Sequence, residues 1–134
     1  MNTKRLFLFI CSLFCFILVQ ADTDKFFGSN NQLSNSHVNH IYQDKKGYIW
    51  ICTEKGLNVF NGIDFNTFPH IANDSTSLAN NSVLSVLEDK KGRFWVGTTD
   101  GVQILDRETG KFQKVNLSYR NITNFSYIKC ITED

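Results

Sequence analysis

The sequence predicts an all-β fold of propeller blades, each of four antiparallel strands, with two blades complete, a third begun and the ring incomplete. Three observations lead there. A block recurs at a spacing of 45 residues: Val38, Ile41, Asp44, Gly47, Trp50, Thr53 and Gly56 return as Val83, Val86, Asp89, Gly92, Trp95, Thr98 and Gly101. A period of that length holds four short strands, and units of that size bury their apolar faces only by stacking into propellers or solenoids. Within each repeat, short β-prone runs alternate with turn-forming clusters: Asp44-Lys-Lys-Gly47, Asn61-Gly62, Asp89-Lys-Lys-Gly92, Asp100-Gly101 and Arg107-Glu-Thr-Gly110. Adding 45 once more calls for apolar residues at 128 and 131 and an acid at 134, and the chain supplies Ile128, Ile131 and Asp134.

The elements follow in chain order. Residues 1–21 read as a signal peptide, with Lys4 and Arg5 ahead of a run of about 14 mainly apolar or sulfur-bearing residues from Leu6 to Val19, and a cut expected after Ala21. The run falls short of the roughly 20 apolar residues that a membrane span requires. Residues 22–32 hold Lys25-Phe26-Phe27, which occupies the place that Phe68 and Phe112 take before their own following repeats. This reads as a lone outer strand, available as a ring-closing clasp. The first repeat, 33–77, is expected to place strands at Val38–Gln43, Tyr48–Thr53, Leu57–Phe60 and Phe65–Phe68. The second, 78–122, should place them at Val83–Glu88, Arg93–Thr98, Val102–Leu105 and Lys111–Asn116. Residues 123–134 open a third repeat. In Val83–Glu88 both parities are apolar, as for a strand covered on both faces.

Charge and cysteine content narrow the function classes. Of 14 basic side chains, losing Lys4 and Arg5 leaves 12 against 13 acidic ones, a balance of −1 that gives no electrostatic case for nucleic acid or an anionic membrane. Cys11 and Cys15 leave with the leader. Cys52 and Cys130, standing where the neighbouring repeats have Gly97 and Ser85, read as two packed thiols and not as a bridge.

The residue types that carry chemistry fall mostly into the scaffold. Trp50 and Trp95 recur at one point of the second strand, which argues for core between blades. Asp44-Lys-Lys-Gly47 and Asp89-Lys-Lys-Gly92 put lysines where a calcium loop needs acids, so they read as hairpin turns. Thr53 and Thr98 suit a strand, Gly56 and Gly101 a turn. His37 and His40 point to opposite faces of a strand and His70 stands in a loop, so no metal site is expected. Ser126-Tyr-Ile-Lys129 has the Ser-x-x-Lys spacing of acylating enzymes, but the period places it on a strand. The Asn-x-Ser/Thr patterns at Asn73, Asn80, Asn116, Asn121 and Asn124 reflect an Asn-rich composition. No catalytic constellation and no cofactor are expected. The exposed polar turn residues Glu54, Lys55, Thr99 and Asp100 are the candidate ligand contacts.

Taken as a set, the Leu-Ser/Ala-Asn opening, the Asp-x-x-Gly-x-Ile/Phe-Trp-Ile/Val-x-Thr core and the Gly-Leu/Val that follows resemble the two-component regulator propeller repeat, over Lys25 to Asp134. WD-type repeats share the period, but their Gly-His opening and Trp-Asp ending are missing here. The resemblance implies the exported sensor region of a bacterial hybrid histidine kinase, periplasmic, with the complete protein anchored in the inner membrane and regulating transcription through a phosphorelay. It implies an oligosaccharide or other small ligand, a homodimer of the complete protein, and kinase, receiver and DNA-binding parts further along the chain. A propeller enzyme of the lyase or glycosidase kind, or a non-signalling interaction scaffold, are the alternatives.

Overall fold

A computed structural model describes residues 33–116 and 129–132. The leader, the Lys25-Phe26-Phe27 strand, Ser126, Ile128 and Asp134 lie outside the described residues. Among the described residues, eight strands form two antiparallel four-stranded sheets, each in sequential order. Blade 1 comprises β1 (Val38–Gln43), β2 (Ile49–Thr53), β3 (Gly56–Phe60) and β4 (Phe65–Phe68). Blade 2 comprises β5 (Val83–Glu88), β6 (Phe94–Thr98), β7 (Gly101–Asp106) and β8 (Lys111–Lys114).

Strand bounds differ from the sequence reading mainly at the third strands. Gly56 and Gly101 pair with Thr53 and Thr98 inside the ladder, so the tight turns are Glu54-Lys55 and Thr99-Asp100, and the Asp100-Gly101 dipeptide straddles a turn and a strand. Both glycines need left-handed φ, 126° and 101°. At Gly56 a Cβ would also meet the Phe68 carbonyl oxygen at 3.0 Å. The fourth strands are offset as well. Phe65 pairs with Phe60 as Phe112 pairs with Leu105, so Phe65, and not Phe68, is the counterpart of Phe112.

Alternation along the strands gives each sheet two faces. Blade 1 turns Tyr42, Trp50, Cys52, Leu57, Val59 and Phe68 toward blade 2. Blade 2 answers with Val83, Val86, Phe94, Val96, Leu105 and Phe112, and these residues with Leu78 make up the core cluster. The hydrophobic core is thus the joint between blades. Trp50 is its centre, with ring centroids 4.3 Å from Phe94 and 6.1 Å from Phe68. Such an aromatic pair adds about 0.5–1.5 kcal/mol to what area burial supplies.

The inner edge of blade 2 is tied to blade 1 by side chains, because the two sheets share no ladder. β1 and β5 each carry a bulge, at Val38/His40 and Val83/Ser85. Asn39 Nδ2 donates to the Val83 carbonyl at 2.8 Å, and the Val86 N–H donates to His40 Nδ1 at 3.3 Å. Edge groups that would otherwise lack a ladder partner are satisfied this way.

One sequence expectation is corrected here, that of two packed thiols, and one, tryptophan as core between blades, is met at Trp50. Cys52 is buried, but Cys130 is exposed, since no strand among the described residues packs over it. Trp50 is only 2 % exposed, whereas Trp95 is half-buried: blade 2 covers the first, and no described sheet covers the second.

Candidate functional site

The four candidate contact residues sit at one end of the blades. Strand order requires the β2–β3 and β6–β7 turns to emerge at the end where the β4–β5 connection runs. Each turn is built alike. Thr53 Oγ1 donates to the Gly56 carbonyl at 2.9 Å and accepts from the Lys55 N–H at 3.1 Å; Thr98 Oγ1 does the same with Gly101 at 3.2 Å and Asp100 at 3.0 Å. The repeated threonine therefore closes a two-residue loop and leaves the side chains between Thr and Gly pointing to water. Glu54, Lys55 and Asp100 are exposed and Thr99 is half-buried.

The connection draws the two turns together. The Gly56 N–H donates to the Asn81 carbonyl at 2.8 Å, and the Thr99 N–H donates to the Ser82 carbonyl at 3.2 Å. Asn81-Ser82 therefore bridges one turn to the other. Its geometry is held by the Asn81 side chain, which accepts from the His70 N–H at 2.7 Å, while His70 Nδ1 lies 2.7 Å from the Leu78 carbonyl. His37 Nε2 lies 3.8 Å from Glu54 Oε1, both largely exposed. The result is an open rim of carboxylates, an amine and a hydroxyl, groups able to hydrogen-bond a polar ligand without enclosing it.

The opposite end carries a network of buried and half-buried ion pairs, which the sequence reading missed. Asp44 Oδ1 accepts from the Lys46 and Tyr48 N–H groups at 2.9 and 3.0 Å, which shapes the first turn. Asp44 Oδ2 accepts from Trp50 Nε1 at 2.9 Å and from Arg107 Nη1, on the third turn of blade 2, at 3.0 Å. Arg107 Nη2 also donates to Glu88 Oε1 at 2.9 Å. Glu88 Oε2 accepts from the Lys45 N–H at 3.0 Å, and Lys45 Nζ donates to the Asp89 carbonyl at 2.8 Å. The guanidinium lies over Phe94, 5.2 Å from the ring centroid.

These bonds explain the carboxylates' acidity. Burial alone would raise Asp44, but the bonds from Trp50, Tyr48 and Lys46 and the charge of Arg107 outweigh it and hold it below its ordinary value. Glu88 is lowered chiefly by its bond from Arg107, against an opposing effect of burial. The repeat-equivalent Asp89 accepts from Lys91, Arg93 and Trp95 in the same pattern, but its guanidinium comes from Arg93 of its own hairpin, at 2.6 Å. The period made the repeated aspartate and tryptophan visible, though not the bond between them. Nothing in it announced Arg107, because position 62 of the first repeat is glycine.

Residues 32–55 and 77–100 match the family described as two component regulator propeller. Over 45 residues the chain is 47 % identical to a protein named histidine kinase P4 of Formosa agariphila, covering 34 % of this chain and 3 % of that one. The fold is similar to the extracellular domain of a B. thetaiotaomicron protein assigned as a hybrid two-component system, at 26 % identity and a TM-score of 0.56, over 72 % of this chain and 13 % of that one. A second extracellular domain from that organism, with the same kind of assignment, matches at 19 % identity and a TM-score of 0.60 over 76 % of this chain and 15 % of the other, a likeness of fold. The chain thus spans a small part of each of these proteins.

Proposed function

We propose that this chain serves in the exported, ligand-sensing part of a hybrid two-component regulator, because residues 32–55 and 77–100 match the two-component regulator propeller family. The observation that carries the proposal is the doublet of matched repeats in a fold shared with extracellular domains of such systems. The similarity to a histidine kinase supports the same role. On this reading the region lies in the periplasm, the complete protein is anchored in the inner membrane, and ligand occupancy reaches transcription through a phosphorelay.

The ligand we assign is an oligosaccharide, held at the rim by Glu54, Lys55, Thr99 and Asp100. Carboxylate, amine and hydroxyl groups on two bridged turns suit the alternating donors and acceptors of a sugar chain. Their open placement suits an extended ligand better than a small enclosed one. The role is binding and not catalysis.

Titration calorimetry of the purified chain against a panel of neutral and acidic oligosaccharides tests this. Saturable binding to at least one of them is expected, weakened at least tenfold by Lys55→Ala combined with Asp100→Ala. A panel without binders defeats the assignment to oligosaccharide, and a binder indifferent to both substitutions defeats the rim.

A further inference from the structure

A cleft of about 230 Å³ opens between β4, β8 and the connection that leads from β4 to β5. Every residue that lines it belongs to blades 1 and 2 or to that connection, and the rim residues Glu54, Lys55, Thr99 and Asp100 are not among them. Phe68, Pro69, Ile71 and Phe112 supply an apolar floor, and Ile71 is 51 % exposed there. Gly110 keeps the floor open, since a Cβ at that position would already meet the Phe68 ring at 3.4 Å.

The connection forms a firm wall. The Ile71 N–H donates to Ser77 Oγ at 2.9 Å, and Ser77 Oγ donates to the Asp74 carbonyl at 2.9 Å. The Thr76 carbonyl accepts from the Phe112 N–H at 2.8 Å, which fastens the connection to β8. Buried Gln103 donates to the Ser77 carbonyl at 3.0 Å and accepts from the Ala79 N–H at 2.7 Å. A wall held at so many points is shaped before a ligand arrives, which lowers the ordering cost of binding.

Two opposite charges flank the floor. Asp74 Oδ1 accepts from the Thr76 N–H and hydroxyl, at 2.8 and 2.7 Å. Those bonds hold Asp74 below its ordinary value, and the charge of Lys111 adds to them. Yet Asp74 and Lys111 form no ion pair, and among the described residues neither Asp74 Oδ2 nor Lys111 Nζ has a hydrogen-bond partner. Sugar hydroxyls laid on the apolar floor would give up water without a replacement. The cleft is also smaller than the roughly 300–1,000 Å³ of sites for drug-sized ligands.

We infer that this cleft binds a free α-amino acid with a large apolar side chain, its ammonium on Asp74, its carboxylate on Lys111 and its side chain on Phe68, Ile71 and Phe112. Charge complementarity selects the occupant: each head group meets its opposite, and one small molecule carries both. A peptide terminus brings only one of the two charges. The site stands apart from the rim and does not rest on the oligosaccharide reading.

Titration calorimetry of the full chain with L-phenylalanine and L-leucine tests the inference. Saturable binding of at least one of them, at one molecule per chain, is expected. The N-acetyl and amide derivatives of the one that binds, each lacking one charge, should bind at least tenfold more weakly, and L-serine should not bind. Asp74→Asn and Lys111→Met should each weaken binding at least tenfold. Both should keep the wild-type melting temperature, because asparagine retains the acceptor for Thr76 and Lys111 makes no bond to lose. Absence of saturable binding by either amino acid, capped derivatives that bind as well as the free one, or binding indifferent to both substitutions would overturn the inference.

Discussion

Replacing the aspartate of the first turn should cost far more in blade 1 than in blade 2, although both turns read Asp-Lys-Lys-Gly. Asp44 has a fully buried side chain, and its carboxylate receives bonds from two backbone amides, the Trp50 indole and Arg107. Asp44→Ala leaves the indole N–H of Trp50 without a partner inside a core where that residue is 2 % exposed, and strips one of the two carboxylates from a guanidinium that is itself 18 % exposed. A buried donor left unpaired costs about 1–3 kcal/mol, and removing one member of a buried ion pair about 3–5 kcal/mol. The two overlap, so a total of about 3–5 kcal/mol is expected. That is a large share of the roughly 5–15 kcal/mol by which small domains are stable. In Asp89→Ala the stranded groups are Trp95, half-buried, and Arg93, whose side chain is 49 % exposed, so water replaces much of what is lost. Urea unfolding followed by tryptophan fluorescence compares the two, with Asp44→Asn as a variant that keeps the volume. Equal losses for Asp44→Ala and Asp89→Ala, or a larger loss for Asp89→Ala, would refute the assignment of the buried bridge to the blade 1–blade 2 joint.

Three further outcomes are expected. Asp44 and Glu88 ionise below their ordinary 3.8 and 4.5 in the folded chain, so the unfolded chain takes up protons first as pH falls. Their stabilisation is complete above about pH 5 and declines through and below those values, and Arg107→Met should flatten that decline, as read from urea midpoints at neutral and acid pH. Burial pushes the Cys52 thiol up to about 12. It should therefore resist an alkylating reagent in the native chain, under conditions that modify exposed Cys130 at once, and react only on unfolding, as peptide mapping by mass spectrometry will show. Gly56→Ala should lower the melting temperature more than Gly62→Ala, since both positions have left-handed φ but only Gly56 has a carbonyl oxygen 3.0 Å from the new methyl, whereas at Gly62 no atom lies within 4 Å.

The repeat period carried most of the fold because blades are local objects. Val38–Gln43 and Val83–Glu88 have the bounds expected from their apolar pattern, and the second strands differ by one residue at their starts. The third strands start earlier than expected, because a glycine read as a turn residue can also close the ladder opposite threonine, as Gly101 does with Thr98. What the period hides is whatever differs between copies. Arg107 reaches an aspartate 63 residues earlier in the chain, and no spacing rule covers a side chain found in one repeat and absent from the other. Asn39 and His40 were hidden for the same reason: the corresponding Leu84 and Ser85 cannot make both bonds. The rim was legible in part, since Thr and Gly at fixed spacing indicate exposed turn residues. Its bridging by Asn81-Ser82 was not, because backbone carbonyls leave no mark in a sequence.

The reach of Arg107 also imposes an order in time. A chain emerges from its N-terminus, so Asp44, Trp50 and the face around them are made well before the residue that neutralises them. At synthesis rates of roughly 5–20 residues per second, a separation of 63 residues is an interval of about 3–13 s. Throughout it neither the guanidinium that pairs with Asp44 nor the Phe94 ring that covers Trp50 has joined the fold. The joint between the blades can therefore close only once the third turn of blade 2 has been made.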